Sequence, residues 1–248
     1  MSWKTTTLRA VAEVSLGRQR SPQHAEGPNM VPYLRAANVK DGRIVLDSVL
    51  EMNFTPQEQE IFSLRPGDVL VTEGSGSLST VGASAVWHGE IKGTVCFQNT
   101  LIRLRPREGV DERFLGWWAR SAHGSGLFAS IAGGANIYHL SAERLRSLPL
   151  SVPPLGEQKR IADFLDREVS IIDLLFKARK EQVFLAEERY KCWLSELVVP
   201  GISRSVSRSK RWPWLPEEVE LVKLGWVARL QSGVTVDSSR THSPDDME

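Results

Sequence analysis

The chain has 248 residues, 41% of them hydrophobic, and its 31 Lys and Arg residues nearly balance 30 Asp and Glu residues. This length and apolar content are typical of one or two domains with a genuine core. The balanced charge argues against a large non-specific phosphate-binding surface, although a local basic groove remains compatible with it.

Residues 1–152 are predicted to form one α+β domain that is rich in short strands. Asp111–Ser121 has helical spacing, and Ser141 is a suitable N-cap for a short helix over Ala142–Arg146. Because the strands cluster before the helices, the pattern favours an α+β fold over a βαβ repeat. Runs of β-forming residues between Gly, Asp and Ser clusters predict strands at Val31–Leu34, Gly42–Leu46, Asp68–Thr72, Val81–Trp87 and Thr100–Leu104.

A long helix is predicted within residues 153–200. Pro153 and Pro154 end an extended run, and Glu157–Val198 contains neither proline nor glycine. At about 1.5 Å per residue this helix would be roughly 60 Å long. Apolar side chains alternate at spacings of four and three, as in a heptad, with Arg179 and Ala186 completing the series. The predicted helix-pairing residues are Leu165, Val169, Ile172, Phe176, Val183, Tyr190, Trp193 and Leu197.

Two interpretations of this apolar stripe are open. It is either the buried face of an ordinary globular helix or the seam along which a second helix lies. The length favours pairing, because globular helices average about 11–12 residues. Arg179 interrupts the seam, and a charged residue there typically specifies register or orientation.

Patterns for metal binding, disulfides, membrane insertion and catalysis are missing from the sequence. Cys96 and Cys192 fit no disulfide or metal framework, which indicates a reducing compartment, and the five histidines have no ligand spacing. There is no 18-residue apolar run and no signal peptide, so a cytoplasmic location is expected. Glu73–Gly82 is glycine-rich but lacks the Gly-Lys-Ser/Thr ending of a phosphate loop, and a turn between two strands is the simpler interpretation.

Leu148–Asp166, LPLSVPPLGEQKRIADFLD, resembles the entry to the long helix in specificity subunits of type I restriction–modification systems. Val31–Val39, Leu64–Ser77 and Gly133–Leu145 continue the similarity in the family's order. The resemblance covers most of residues 1–200 and implies a target recognition domain followed by a spacer helix. No methyltransferase, helicase or nuclease motif is present, so the chain resembles the part of the complex that recognises DNA.

The resemblance implies a non-catalytic subunit that directs a DNA methyltransferase subunit and a restriction/translocase subunit to a split target in double-stranded DNA. No cofactor is expected on this chain, and S-adenosylmethionine and ATP are expected only on the partner subunits. The alternative is a truncated scaffold protein that pairs with specificity or methyltransferase subunits without recognising DNA itself. An independent enzyme is disfavoured.

Three loops, Gly17–Asn29, Glu73–Thr80 and Gly133–His139, carry side chains suited to contacting base edges. Each side chain could equally be an ordinary solvated loop residue, and Arg35 and Asn38, in or beside a strand, could be structural. The resemblance adds a third interpretation of the Glu73–Gly82 segment, besides a phosphate loop and a simple turn: it is a loop that faces DNA. The candidate DNA-binding residues are Arg18, Gln19, Arg20, Ser75, Ser77, Thr80, Asn136 and Tyr138.

An internal repeat follows the long helix. Residues 201–220, rich in Ser, Pro and basic residues, are predicted to be a linker, and Leu8–Gly17 aligns with Leu224–Gly233 at an offset of 216. The family's tandem halves imply that residues 221–248 begin a second, truncated recognition domain with a strand and are otherwise largely disordered. With no second long helix in the sequence, we expect self-association through antiparallel helices, and a palindromic split target.

Overall fold

The computed structural model describes residues 3–198 and 207–229. The chain divides into two compact units, Met1–Asp173 and Leu174–Glu248. The strands are β1 (Lys4–Thr7), β2 (Ala12–Leu16), β3 (Met30–Leu34), β4 (Val39–Lys40), β5 (Arg43–Ile44), β6 (Leu50–Asn53), β7 (Val69–Thr72), β8 (Gly74–Ser75), β9 (Ser84–Val86), β10 (Cys96–Phe97), β11 (Leu101–Pro106), β12 (Tyr138–His139) and β13 (Pro149–Val152). The helices are α1 (Leu8–Val11), α2 (Pro56–Phe62), α3 (Glu112–Gly124), α4 (Leu127–Ile131), α5 (Ala142–Arg146), α6 (Leu155–Val198) and α7 (Leu224–Val227).

A four-stranded antiparallel sheet in the order β2-β11-β7-β9 forms the centre of the first unit. Alternate residues of its strands face opposite sides, so the sheet separates two apolar clusters. Val69 and Val71 belong to a cluster that includes residues of α1, α3 and α5, whereas Leu70 packs with Trp87 and Phe97 on the other side. All four residues of β7 are therefore buried.

Two smaller pairings complete the first unit. β3 lies between β6 and β10 in a three-stranded sheet, and its pairing with β10 is parallel. β1 pairs antiparallel with β13, placing Lys4 opposite Val152. The chain therefore enters the domain beside the point at which it leaves for α6.

Buried charges in the central sheet are paired. The Arg103 side chain, which is 2% exposed, bridges to Glu13 at 2.8 Å and donates to the backbone oxygens of Ile61 and Ser63. These oxygens lie at the end of α2, so Arg103 fastens α2 to the sheet. Arg105 forms two 2.8 Å hydrogen bonds with the buried Asp68 carboxylate, and this bonding raises the pKa of the arginine.

The predicted fold class is confirmed: a strand-rich α+β domain precedes a long helix. Asp111 caps α3 by accepting hydrogen bonds from the N–H groups of Arg113 and Phe114. Ser141 is the N-cap of α5, although its side chain makes no capping hydrogen bond. The long helix begins at Leu155, within the predicted residues 153–200, and the Pro154 carbonyl accepts from the N–H groups of Glu157 and Gln158.

The internal repeat has the same local conformation in both copies. α1 and α7 are each four residues long, and both end where the N–H of an extended alanine, Ala12 or Ala228, bonds to the first leucine of the helix. The predicted strand at the start of the second copy is therefore wrong for Leu224–Val227, which is helical. Leu8 is completely buried, whereas Leu224 is 56% exposed within the described residues.

The described part of the predicted linker, residues 207–220, forms a turn in which the Ser209 N–H bonds to the Leu215 carbonyl and Leu215 is buried. The predicted disorder of residues 234–248 lies outside the described residues. The proposed domain boundaries stay predictions. Among residues 3–198 and 207–229, no helix combines the length and hydrophobicity of a membrane span.

The two cysteines are expected to differ sharply in reactivity. Cys96 is completely buried, and burial raises the pKa of its thiol to about 12, whereas Cys192 is exposed on α6. A thiol-specific chromogenic reagent at pH 8 should therefore modify one cysteine in the native protein and both in denaturant. The variant Cys192→Ser should not react until it unfolds. Rapid modification of that folded variant would contradict the buried position of Cys96.

Candidate nucleic-acid interface and helix surface

The ends of four strands converge at one edge of the first unit. β2 and β7 flank β11 and both run antiparallel to it, so both end where β11 begins. The Gly17 N–H bonds to the Leu101 carbonyl at 3.2 Å, and the Glu73 N–H bonds to the Thr100 carbonyl at 2.9 Å. The parallel strands β3 and β10 end at the same place. We call residues 17–20, 35, 73–80, 98–100 and 133–139 the loop edge.

Two of the predicted recognition loops are joined to each other at the loop edge. β8 and β12 pair antiparallel, which places Ser75 opposite Tyr138. The His139 imidazole lies 3.1 Å from the Glu73 carboxylate, and the Leu140 N–H donates to the Glu73 carbonyl. Segments that are more than 50 residues apart in sequence therefore form one surface.

The hydroxyl groups of the 73–80 loop bond mainly to one another. The Ser75 and Thr80 hydroxyls share a hydrogen bond, Ser77 and Ser79 share another, and Thr72 donates to the Thr80 carbonyl. The loop is thus an internally bonded turn between two strands, as the simpler interpretation predicted. Ser77 and Thr80 remain exposed, as does Asn136 in the neighbouring loop, while Ser75 and Tyr138 are half-buried.

The prediction that Arg18 projects from its loop is wrong. Its side chain is buried, pairs with Glu58 at 2.7 Å, donates to the Asn53 carbonyl and lies over the Phe54 ring. Burial raises the pKa of Glu58, but hydrogen bonds from Thr55 and the Arg18 charge outweigh it, so the pKa is lowered overall. Of the three candidates in this segment, Gln19 and Arg20 remain exposed.

The sequence analysis missed Gln98 and Asn99. Both are half-exposed amides on the turn between β10 and β11, and the Asn99 N–H bonds to the Arg18 carbonyl at 2.9 Å. This turn lies between residues 17–20 and the 73–80 loop, and only the strand pairing reveals that position. Asn38 proves structural, since it is fully buried and its side chain bonds to the Val45 carbonyl and the Arg35 N–H.

A buried glutamine anchors the start of α6. The Gln158 side chain accepts a 2.9 Å hydrogen bond from the Asp111 N–H and donates to the carbonyls of Pro153 and Gly109 at 2.9 and 3.2 Å. One side chain thus joins the start of α3, the loop before it and the turn into α6. Ala162, one turn further along α6, is completely buried.

Ion pairs extend this anchor along the helix. The Asp166 carboxylate accepts from the Trp117 indole at 2.8 Å and from Arg113 at 3.0 Å. Arg113 also lies 2.7 Å from Asp163, and hydrogen bonding to that carboxylate raises the pKa of the guanidinium. The Gln158 and Asp166 side chains, both in the sequence pattern that suggested the family, therefore hold the first turns of α6 to α3.

The remainder of α6 exposes apolar side chains. Leu165 and Val169 are half-buried, whereas Phe176 is 72% exposed. Within the described residues nothing covers this surface, so the interpretation as the buried face of a globular helix does not fit. An apolar surface of this extent is characteristic of association. The other predicted helix-pairing residues, each 59% or 60% exposed, are Ile172, Val183, Tyr190, Trp193 and Leu197.

Residues 1–183 match the family described as type I restriction modification DNA specificity domain. The chain is 25% identical over 212 residues to the type I restriction enzyme StySPI specificity subunit of Salmonella potsdam, covering 84% of this chain and 44% of that protein. It is 29% identical over 163 residues to the EcoKI specificity subunit of Escherichia coli K12, covering 65% and 34%. The chain thus spans less than half the length of these relatives.

Two solved structures share the fold. One comes from work on complex assembly and conformational transition of the type I restriction–modification system, with a TM-score of 0.62, 21% identity and coverage of 79% of this chain and 45% of that chain. The other is the HsdS subunit from Thermoanaerobacter tengcongensis, with a TM-score of 0.51, 20% identity and coverage of 71% and 40%.

Replacing Gln158 with Leu is expected to lower the free energy of unfolding by about 2–4 kcal/mol, because three backbone groups lose their hydrogen-bond partner and two of them, at Asp111 and Pro153, are buried. Chemical denaturation measures this loss. Gln182→Leu is the matched control, since Gln182 is exposed on the same helix and its replacement should change stability by less than about 0.5 kcal/mol. Equal stability of the two variants would contradict the anchoring role of Gln158.

Proposed function

Because the chain belongs to the family of type I restriction–modification DNA specificity domains, we propose that it recognises DNA as a specificity subunit or half-subunit. Its recognition domain binds one short half of a split target in double-stranded DNA. It directs a methyltransferase subunit and a restriction/translocase subunit to that site. Binding a split target and directing partner subunits to it are activities of complete complexes, whereas this chain spans less than half of its relatives' length.

The observation that supports DNA recognition is the convergence of sequence-distant loops on the loop edge. Contacts to base edges require amide, hydroxyl and guanidinium groups on segments that reach into a groove. The loop edge presents these groups from five separate segments, including exposed Gln19, Arg20, Ser77 and Asn136. The central sheet below fixes their relative positions through backbone hydrogen bonds.

The proposed subunit is not itself an enzyme. The relatives it matches are specificity subunits, and we assign the S-adenosylmethionine and ATP chemistry of the complex to partner subunits. Within residues 3–198 and 207–229, no cluster of three or more His, Cys, Asp or Glu side chains is arranged to hold a metal ion.

The apolar surface of α6 supports a second part of the proposal, association through helix pairing. Side chains from Ile172 to Leu197 are more than half exposed at heptad spacing, and a second helix lying along them would bury them. For the 248-residue chain itself we propose that this helix comes from a second copy. Two antiparallel copies would carry identical recognition domains, so the target would be a palindromic split site.

The competing function is a scaffold that pairs with specificity or methyltransferase subunits without recognising DNA. The exposed helix surface supports it equally well, because pairing needs no loop edge. Footprinting of the purified chain with a type I methyltransferase subunit distinguishes the two: a protected, defined sequence supports recognition, and a complex without any protected sequence supports the scaffold.

DNA binding by the chain alone is expected to be weak, with sequence preference emerging only in the complex with a methyltransferase subunit. The nearly neutral chain makes few phosphate contacts, and those contacts supply most non-specific affinity. Fluorescence anisotropy with labelled duplexes at 50 and 200 mM salt measures both properties. Tight binding by the chain alone that salt does not weaken would contradict this expectation.

Replacing Ile172 and Phe176 together with Asp is expected to abolish self-association, because each buried side chain contributes about 1.5–3 kcal/mol and a charge on the seam adds a desolvation cost. Light scattering should find a dimer for the parent chain and a monomer for the variant. Ser170→Asp with Lys177→Asp, on the opposite helix face, is the matched control and should remain dimeric. A monomeric parent chain at micromolar concentration, with an intact helical signal, would rule out the dimer.

A further inference from the structure

Arg35 is a cation at the loop edge without a counter-charge. Its guanidinium forms no ion pair or hydrogen bond within the described residues, and its Nε atom is buried without a partner. The backbone around it is nevertheless fixed, since its N–H bonds to the Asn38 side chain and the Ala36 N–H bonds to the Thr100 hydroxyl at 3.1 Å. When a buried polar group has no hydrogen-bond partner although the backbone around it is well bonded, a ligand is expected to supply the missing partner.

Three carboxylates at or near the loop edge have contact partners other than Arg35. Glu58 is occupied by Arg18, and Glu73 lies 3.1 Å from His139. Asp41, beyond the 3₁₀ turn that follows Arg35, is 3.4 Å from Arg120. Within the described residues, Arg35 thus keeps its positive charge available to a ligand.

Two amides lie beside this cation. In the parallel pairing of β3 with β10, Tyr33 is opposite Cys96 and Leu34 is opposite Phe97, so the next residues along each strand are Arg35 and Gln98. The Gln98 N–H bonds to the Leu34 carbonyl at 2.8 Å, which holds this register beyond the strand. Gln98 and Asn99 are half-exposed, and their side chains have no hydrogen-bond partner among the described residues.

We propose that Arg35, Gln98 and Asn99 form the base-recognition centre of the loop edge. Arg35 binds a guanine through O6 and N7, and the two amides bind the neighbouring base pairs, with adenine N6 and N7 as the preferred partner. This proposal rests on the proposed DNA recognition and adds the residues that determine sequence. Arg20 and Lys40 are exposed and are available for phosphate contacts, which position the protein without reading sequence.

The test is selection of bound sequences from a pool of random duplexes, using the full chain mixed with a type I methyltransferase subunit. The variants are Arg35→Ala, Arg35→Lys and Gln98→Ala. Arg9→Ala is the control: this exposed arginine precedes β2 and therefore lies at the opposite end of that strand from the loop edge. Thermal unfolding of each variant shows whether it is folded.

The parent chain is expected to enrich a defined sequence. Arg35→Ala and Gln98→Ala should each lose preference at one or two adjacent base pairs, with affinity for the parental site lowered about tenfold or more. Arg9→Ala should retain the parental sequence. If Arg35→Ala does not fold, Arg35→Lys and Gln98→Ala are used to test the proposal. The Arg35→Lys variant keeps the charge but loses the planar fork that binds guanine.

Two results would overturn the proposal, and they are distinguishable. If the parent chain enriches a sequence and the folded variants enrich the same one, even with uniformly weaker binding, this cluster does not determine sequence, while DNA recognition stands. If the parent chain with the methyltransferase subunit enriches no sequence at all, both the cluster and the proposed function are rejected.

Discussion

The buried amide of Gln158 is the interaction on which the arrangement of the first unit depends. Its three hydrogen bonds reach Gly109, Asp111 and Pro153, so one side chain fixes the start of α3 and the start of α6 together. Asp111 in turn caps α3, and the Trp117 and Arg113 side chains of that helix hold Asp166. Two polar side chains of the sequence pattern that suggested the family, Gln158 and Asp166, therefore have a structural role, because they hold two helices together.

Charge pairing explains how a nearly neutral protein can still have an isolated cation at one edge. Several arginines near the central sheet are neutralised by specific carboxylates, as Arg18 is by Glu58 and Arg105 is by Asp68. Such pairs stabilise the fold and remove positive charge from the surface potential. An arginine without an ionic partner then carries an isolated positive charge on a surface with little net charge. Such a charge favours selective contacts over general attraction to a phosphate backbone.

The sequence predicted the elements whose signals are local. The long helix was recognisable because no proline or glycine interrupts it, and the strand at Asp68–Thr72 was recognisable from its apolar run, although only Val69–Thr72 is strand. Gly42–Leu46 and Val81–Trp87 contain much shorter strands than predicted. Gly42 and Gly82 have positive φ values and lie in turns, so each strand begins only after its glycine.

The site depended on non-local information, which is why its prediction was uneven. Arg18 was mistaken for a projecting residue because its partners Asn53 and Glu58 are about 40 residues away in sequence. Gln98 and Asn99 follow a two-residue strand, and nothing in their own segment indicates the parallel pairing that places them beside Arg35. The 73–80 and 133–139 loops were selected from their composition, but their contact with each other was visible only in the structure.

The pairing of β1 with β13 has a consequence for how such proteins diversify. Lys4 lies opposite Val152, so the chain enters and leaves the recognition domain at neighbouring points. Everything between those points, including the whole loop edge, forms an insertion between neighbouring ends, and α6 contacts it through the start of α3. A homologous gene segment that preserves these contacts can therefore replace residues 4–152 without moving the start of α6. Intact homologous segments can then be exchanged as units, in addition to stepwise substitution in the loops.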